Sequence, residues 1–511
     1  MRFPSAKLLP CIAFALAAGL PSAAATKTVV CAVAATYTSL DPYDTNATLD
    51  QAVCKSFYQG LFGFDKNLRL QNVLADSYEA SKDGLTYTVK LKKHVKFHDG
   101  TDFNAAAVKA NFDRVTNPEN KLKRYSLFSN IAKTEVVNDA TVRFTLKVPF
   151  SAFINQLAHP SAAIISPAAL AKYGKEIGLH PVGTGPFRFV EWKQPDYMKV
   201  EKSPNYWKKG YPKVDAIVWK SVTDNNTRTA MIQAGEASYT PVPFEQAENL
   251  KQNPRLDVIS SPGIVTWYMS MNTAKKPFSD LRVRQALNYA INKEAMIKAI
   301  YYGYAEIAKG PVPGAVQYSA NIGTYPFDLA KARKLLAEAG YPNGFETELW
   351  GGNNSTAAKA MTFLQQQLSQ VGVKARITAQ EPGQRVELLE NVQKPEEAGV
   401  RLNWAGWSAS TGEADWALRP LFATSSIPPK GLQNFAYYSN PKLDGLLQKA
   451  LATTKAGEKT KIYKEAQEII FKDAPWVFLV NTQQVYVRTK NLAGIYLMPD
   501  GSMNFDDIEL K

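Results

Sequence analysis

Residues Glu346 to Thr378 read ETELWGGNNSTAAKAMTFLQQQLSQVGVKARIT. Glu346 to Trp350 has the length and composition of a strand. Gly351 to Thr356 is a glycine- and amide-rich loop. Ala357, Met361, Leu364, Leu368 and Val371 then recur at helical spacing, and Gly372 ends the run. Val373 to Thr378 is the next strand. A short helix near Arg385 to Asn391 follows, and then RLNWAGWSASTGEADWALRPLF, Arg401 to Phe422. There Leu402, Trp404 and Gly406 alternate with Asn403, Ala405 and Trp407, as in a mostly buried strand. Strand, helix, strand, helix, strand predicts an α/β fold with a parallel sheet and right-handed crossovers.

In open parallel sheets, ligands sit beyond the carboxyl ends of the strands. Two loops occupy such ends here. One carries Asn353, Asn354 and Ser355 before a helix whose free amides and positive dipole end suit a carboxylate. The alternative is that Ser355 or Thr356 only caps that helix. The other carries Ser408, Ser410, Thr411, Glu413 and Asp415 between Trp407 and Trp416. Small polar groups beside large flat apolar ones suit a small polar ligand; the alternative is a solvated turn.

Towards the amino terminus, Lys27 to Ala35 is a strand-length apolar run that opens into a polar loop with Thr36 and Tyr37, a further candidate ligand edge. Asp50 to Phe62 reads as a helix. Leu85 to Leu91 and Thr141 to Lys147 alternate as sheet with one wet face. His94 and His98 lie in strand-like sequence without a supporting acid or cysteine cluster, which predicts surface residues, not metal ligands. Arg124 beside Tyr125 offers a guanidinium and a phenol for a carboxylate, or a solvated pair. The glycines of Val182 to Pro186 lead into a strand and predict a turn, not a phosphate loop. Trp267 to Asn272 is an apolar run, and Tyr268 lies within it. Val283 to Ile291, a second helix capped by Asn292, and a helix capped by Asp328 follow. Thr460 to Phe471 reads as a helix, with Trp476 to Val480 and Val485 to Arg488 as late strands. Composition shifts near residue 270 from β-rich to α/β, which places a lobe boundary there.

The chain has 511 residues, too many for one core. Residues 1–25 combine Arg2 and Lys7, an apolar run from Leu8 to Leu20 and a small-residue site at Ala23 to Ala25, the pattern of a secretory signal peptide. Cys11 lies inside the apolar run, which argues against a lipoprotein anchor. No later segment has the length of a membrane span. The formal net charge of +14 gives acidic small ligands a weak long-range attraction. No basic cluster interleaves with aromatics, so nucleic acid is not expected. Two states are open to Cys31 and Cys54: a disulfide, worth roughly 3 kcal/mol, or two buried thiols.

Longer motifs carry a resemblance. LADSYEASKDGLTYTVKLKKHVKFHDGTDFNAAAVKANFDRV (Leu74 to Val115), VGTGPF, PFSDLRVRQALNYAIN and FDLAKARKLLAEAGYPNGF resemble the family 5 solute-binding proteins of ABC importers over essentially the whole mature chain. The resemblance implies a two-lobed periplasmic-binding-protein fold of type II with an extra subdomain, its ligand buried between the lobes. It places lobe I at 26–268 with the subdomain at about 71–180, lobe II at 269–480, and a return to lobe I at 481–511. It implies a periplasmic, monomeric, non-enzymatic receptor without a cofactor, served by separate permease and ATPase subunits. SLDPYDTNATLDQAV, PFSAFINQLAHP, VTDNNTR and GWSASTGEADWAL are similar to the glutathione-binding branch. The dipeptide branch places an aspartate three residues after the GW tryptophan, where this chain has Ser410. It also places an arginine in the loop aligned with Gly351 to Thr356, where this chain has neither Arg nor Lys.

On that resemblance, Asp415 or Glu413 would take the ammonium of glutathione. Asn353, Asn354, Ser355 and the helix amides would take one carboxylate, and Arg124 or Arg385 the other. Trp407 and Tyr268 would pack on the peptide planes. Thr36, Tyr37, Ser408, Ser410 and Thr411 would supply hydrogen bonds. Other family cargoes, namely ordinary peptides, nickel complexes and haem, are alternatives. A serine hydrolase using Ser408 is a remote one, because Ser410 replaces the last glycine of G-x-S-x-G and all four histidines precede Ser408.

Overall fold

The computed structural model describes residues 26–45, 47–429, 433–496, 498 and 503–511. The signal-peptide expectation falls on 1–25, outside the described residues. Among the described residues, no helix is long and apolar enough to cross a membrane.

One large sheet runs through the molecule. Its strands lie in the order Lys374–Gln380, Glu346–Gly352, Leu402–Ser408, Leu256–Met271, Trp476–Thr489, Tyr239–Pro241, Thr28–Val33, Ala216–Ser221, Tyr197–Lys202 and Phe187–Lys193. The three strands of the opening stretch are mutually parallel, with Glu346–Gly352 in the middle. This is the predicted strand–helix–strand unit. Its helix, Ser355–Ser369, presents Ala357, Met361, Leu364 and Leu368 to the sheet. Helices Leu281–Ala290 and Lys293–Tyr301 complete that core, the second capped by Asn292 as predicted.

A separate antiparallel sheet, ordered Ala75–Ala80, Thr86–Leu91, Thr141–Leu146 and Ile131–Asn138, forms within the expected subdomain region. Tyr87, Val89 and Leu91, with Val142, Phe144 and Leu146, turn inward against helix Ala105–Thr116. The Phe112 and Phe144 rings meet edge-on at 5.0 Å. Alternation with period two gave these strands correctly, because one face is dry and the other wet.

Strand Leu256–Met271 is longer than the apolar run in its sequence suggests. It pairs antiparallel with Trp476–Thr489 along nearly its whole length. Its first half lies near the Tyr239–Pro241 and Thr28–Val33 side of the sheet, and its second half pairs with Leu402–Ser408. The expected break between two late strands is absent: Trp476–Thr489 is continuous. Ser261-Pro262-Gly263 is therefore a bulge within a strand, with the register shifting between Pro262 and Val265. A Cβ on Gly263 would stand 2.3 Å from the Thr482 carbonyl oxygen, so this close crossing requires glycine.

Two local expectations differ. The helix predicted from Asp50 to Phe62 spans only Thr48–Cys54, and the chain then turns into the short strand Phe62–Phe64. Cys31 and Cys54 are free and buried, not bonded. Each thiol is pushed up by burial.

Candidate functional site

The loop after strand Thr28–Val33 is held by one buried acid. Asp50 accepts hydrogen bonds from the Thr38 amide (3.1 Å) and hydroxyl (2.6 Å), the Ser39 amide (3.2 Å) and the Thr45 hydroxyl (2.8 Å). Thr36 is left exposed on this loop. Tyr37 is buried, edge-on to Trp192, with no hydrogen-bond partner for its hydroxyl. Arg124 closes the far end of the loop by donating from Nε to the Thr45 carbonyl at 2.8 Å. Burial pulls its guanidinium down to about 10, and no carboxylate reaches it among the described residues.

Strand Leu402–Ser408 carries a second group of candidate residues. Trp404 stacks on Trp267 at 4.4 Å, and Gly406 leaves room for the Trp267 ring. Trp407 is half-buried, and its indole N–H donates to the Trp416 carbonyl at 2.7 Å. Ser408 and Ser410 are partly exposed, while Thr411 is buried. Helix Ala414–Phe422 begins immediately after this turn. Ser408 has no histidine partner among the described residues: His98 is bonded to the 183–185 turn, His159 accepts from the Ser161 amide, and His180 stacks on Tyr173.

Both acids of this turn are engaged in ion pairs, and for Glu413 this corrects the expected role. Glu413 is fully buried and ion-paired with Lys459 of helix Ala456–Asp473. Burial pushes its carboxyl up to about 7, and Lys459 opposes that shift. An acid committed to an internal lysine and sealed from solvent is not a free seat for a ligand ammonium. Asp415 accepts from Arg419 Nε at 2.9 Å and Nη2 at 2.7 Å, a bidentate pair across one helical turn. A ligand ammonium at Asp415 would have to share it with Arg419.

Arg385 ends the short helix Pro382–Arg385. Its Nη1 donates to Asn403 Oδ1 at 3.3 Å, and its guanidinium lies 5.7 Å from the Phe435 ring centre. Burial lowers its pKa, and the Tyr268 phenol and Glu390 act against that shift from a distance. No salt bridge forms to it among the described residues. Asn403 Nδ2 and both amide atoms of Gln380 are buried without partners nearby in the same sheet layer. Strand register explains the grouping. Asn403, near the amino end of its strand, lies opposite Trp350, and Gln380, at the carboxyl end of its strand, lies opposite Gly352, so the two flank strand Glu346–Gly352 from either side. Tyr268 is placed less favourably than expected. Its ring stacks at 3.5 Å on Trp476, so one face is in the core and not free for a peptide plane.

The 353–355 loop is exposed. Asn354, not Ser355 or Thr356, caps helix Ser355–Ser369 by accepting from the Ala357 amide at 2.9 Å. The Asn353 amide donates to Glu381. Both asparagine side chains are therefore occupied.

A cavity of about 610 Å³ opens where the subdomain meets the Ala414–Phe422 helix; Tyr125, Gln156, Thr411, Asp415, Trp416 and Arg419 are among its walls. The two sides are stitched together outside it. Asn155 donates to the Thr411 carbonyl at 3.3 Å, and Ser151 donates from its amide to Leu451 at 2.8 Å. Tyr125 and Thr411, far apart in sequence, thus meet at one cavity.

His98 also departs from its surface expectation. Its Nδ1 accepts from the Gly183 amide at 3.4 Å, so Nε2 carries the proton donated to the Gly185 carbonyl at 3.0 Å. Burial pulls it down to about 4. It fixes the glycine turn that packs on Phe57. Among the described residues, no group of three His, Cys, Asp or Glu side chains is arranged to hold a metal ion.

The sequence profile of the bacterial extracellular solute-binding proteins, family 5, matches residues 69–429. The chain belongs to this family. Among its family 5 relatives, the glutathione-binding protein GsiB of Pectobacterium atrosepticum is 59% identical over 488 residues, 95% of each chain. HbpA2 of Haemophilus parasuis superposes with a TM-score of 0.83 at 28% identity, over 95% of this chain and 100% of that one. The ABC transporter-associated periplasmic binding protein DppA of Helicobacter pylori, solved with the peptide STSA, superposes with a TM-score of 0.79 at 29% identity, over 94% and 98%. The expected two-lobed α/β architecture is therefore the family 5 fold. Residues that sequence reading missed are Asp50, Gln380, Asn403 and Arg419. Of these, Arg419 alone carried a local signal, its spacing of four from Asp415 on a helix.

Proposed function

We propose that this protein is an extracytoplasmic receptor that closes on glutathione between two lobes and presents it to separate permease and ATPase subunits, without chemistry on its cargo. The observation that carries this reading is the 59% identity, over 95% of both chains, to a glutathione-binding protein. The site geometry supports it. Arg385 is a half-buried guanidinium with no carboxylate partner among the described residues, and the Asn403 amide that it touches keeps an unpartnered Nδ2. Such a group favours an anionic ligand end, because the ligand would supply the missing counter-charge. We assign Arg385 to the glycyl carboxylate. Arg124, beside the Thr45 carbonyl, is the second candidate. Trp407 packs on the peptide plane, and Thr36, Tyr37, Ser408, Ser410 and Thr411 supply hydrogen bonds.

The lobes divide as 26–268 with 481–511, including the subdomain at about 71–180, against 269–480. The two crossings fall inside strands Leu256–Met271 and Trp476–Thr489. Residues 1–25 direct export and are removed, and the mature receptor acts as a periplasmic monomer. Closure is a population shift towards the state that binds glutathione more tightly. The test is calorimetric titration of ligand-stripped mature protein with reduced glutathione and, as control, Ala-Ala. Micromolar or tighter binding of glutathione alone is expected. Tight Ala-Ala binding with no heat from glutathione would discard the cargo assignment.

A further inference from the structure

The cavity behind Trp416 contains a complete pair of opposite charges on one wall. Asp415 and Arg419 stand one helical turn apart and are joined by two hydrogen bonds. Their environments differ. The Asp415 side chain is 3% exposed and the Arg419 side chain 36% exposed, so the acid is fixed and the guanidinium can swing. Gln156 adds an independent sign of an absent partner. It is 7% exposed, it borders the same cavity, and its Oε1 has no hydrogen-bond partner. At about 610 Å³, the space is that of a ligand pocket.

We propose that this cavity seats an α-amino-acid head group, an ammonium and a carboxylate on one carbon, with Asp415 taking the ammonium and Arg419 the carboxylate. The assignment rests on the glutathione reading above and names the end of the ligand involved, the γ-glutamyl head. The exchange is balanced. One internal ion pair opens and two ligand pairs form, so no buried charge is left without a counter-charge. Gln156 Oε1 accepts a second ammonium proton. Glu413 does not compete, because Lys459 holds it. Lys147 on the opposite wall adds positive potential beside the carboxylate. An ordinary dipeptide carries its ammonium and carboxylate on opposite ends. It can satisfy Asp415 or Arg419 but not both, and a carboxylate that draws Arg419 away leaves Asp415 buried and unpaired. The pair therefore selects γ-linked over α-linked peptides. That accounts for a site with Ser410 where the dipeptide branch has aspartate.

The decisive experiment uses the wild-type protein and altered ligands, so folding is not in question. Reduced glutathione is compared by calorimetry with its N-acetyl derivative and with its γ-glutamyl α-carboxamide. Each modification is expected to weaken binding at least tenfold. N-acetylglutathione bound within threefold of glutathione would overturn the assignment while leaving the receptor reading intact. No binding of glutathione itself would remove both. In an Arg419→Gln variant, glutathione and its α-carboxamide should bind alike. A persistent tenfold preference for the free acid there would assign the carboxylate to another group.

Discussion

Glu413 and Lys459 form an ion pair with side chains 0% and 4% exposed, joining the ligand-side turn to helix Ala456–Asp473 across 46 residues of sequence. Breaking such a pair from one side leaves an unpaired buried charge. Lys459→Met should therefore destabilise by about 3–5 kcal/mol in denaturant unfolding. Glu413 also imposes a pH dependence. Its folded value is raised from 4.5 to about 7, so between those values the folded state binds more protons than the unfolded one. Its contribution to stability is fully present below about 4.5 and is lost as pH rises through about 7. Melting curves of Glu413→Gln should lack that downward slope.

His98 works in the opposite sense. Its folded value is depressed from 6.5 to about 4, so its contribution is present above about 6.5 and is lost as pH falls through about 4. His98→Asn should flatten the acid limb of the stability profile. An unchanged acid limb would show that the turn at Gly183–Gly185 does not depend on the neutral ring.

Arg385 predicts a separation of binding from stability. Removing a half-buried cation that lacks an internal carboxylate partner should leave the apo melting temperature unchanged or raised. Arg385→Gln should nonetheless weaken glutathione at least tenfold, a loss of about 1.4 kcal/mol or more. Equal losses in stability and affinity would make Arg385 a structural residue.

Two glycines should respond in opposite directions to alanine. A Cβ at Gly183 would stand 2.1 Å from the Phe57 carbonyl oxygen, so Gly183→Ala forces backbone apart and should cost about 2 kcal/mol or more. Gly445, inside helix Pro441–Ala452, has nothing within 4 Å of that position. Gly445→Ala should stabilise by about 1 kcal/mol. Thermal melts of the two variants provide the comparison.

Cys31 and Cys54 should titrate as two free thiols per mature chain in denatured, unreduced protein, and should resist labelling while folded because both are buried. Zero thiols after denaturation would mean a disulfide.

The parts legible in sequence are those decided by local pattern. Thr86–Leu91 alternates because one face is wet. The Glu346 to Ser408 unit was readable because the period changes from strand to helix and back. The crossing strands were not. Pro262-Gly263 and the polar run from Asn481 to Gln484 look like breaks, yet each is held in the ladder by the other strand. The site was readable as a region but not as roles. Nothing near Glu413 signals Lys459, and nothing near Arg385 signals that Asn403 will meet it. Asp415 and Arg419 were within local reach, but only once a helix was known to begin at Ala414.

The bulge at Gly263 and its neighbour Thr482 lie within the paired strands Leu256–Met271 and Trp476–Thr489, which on the proposed division carry both crossings between the lobes. On that division, closure would be a change in the coil of a paired ribbon, spread over many peptide units, not rotation about slack tethers. A ribbon of this kind resists sliding and favours flexing. The approach of two lobes so joined would be guided along one path, and the outer faces that a permease would touch would tilt together.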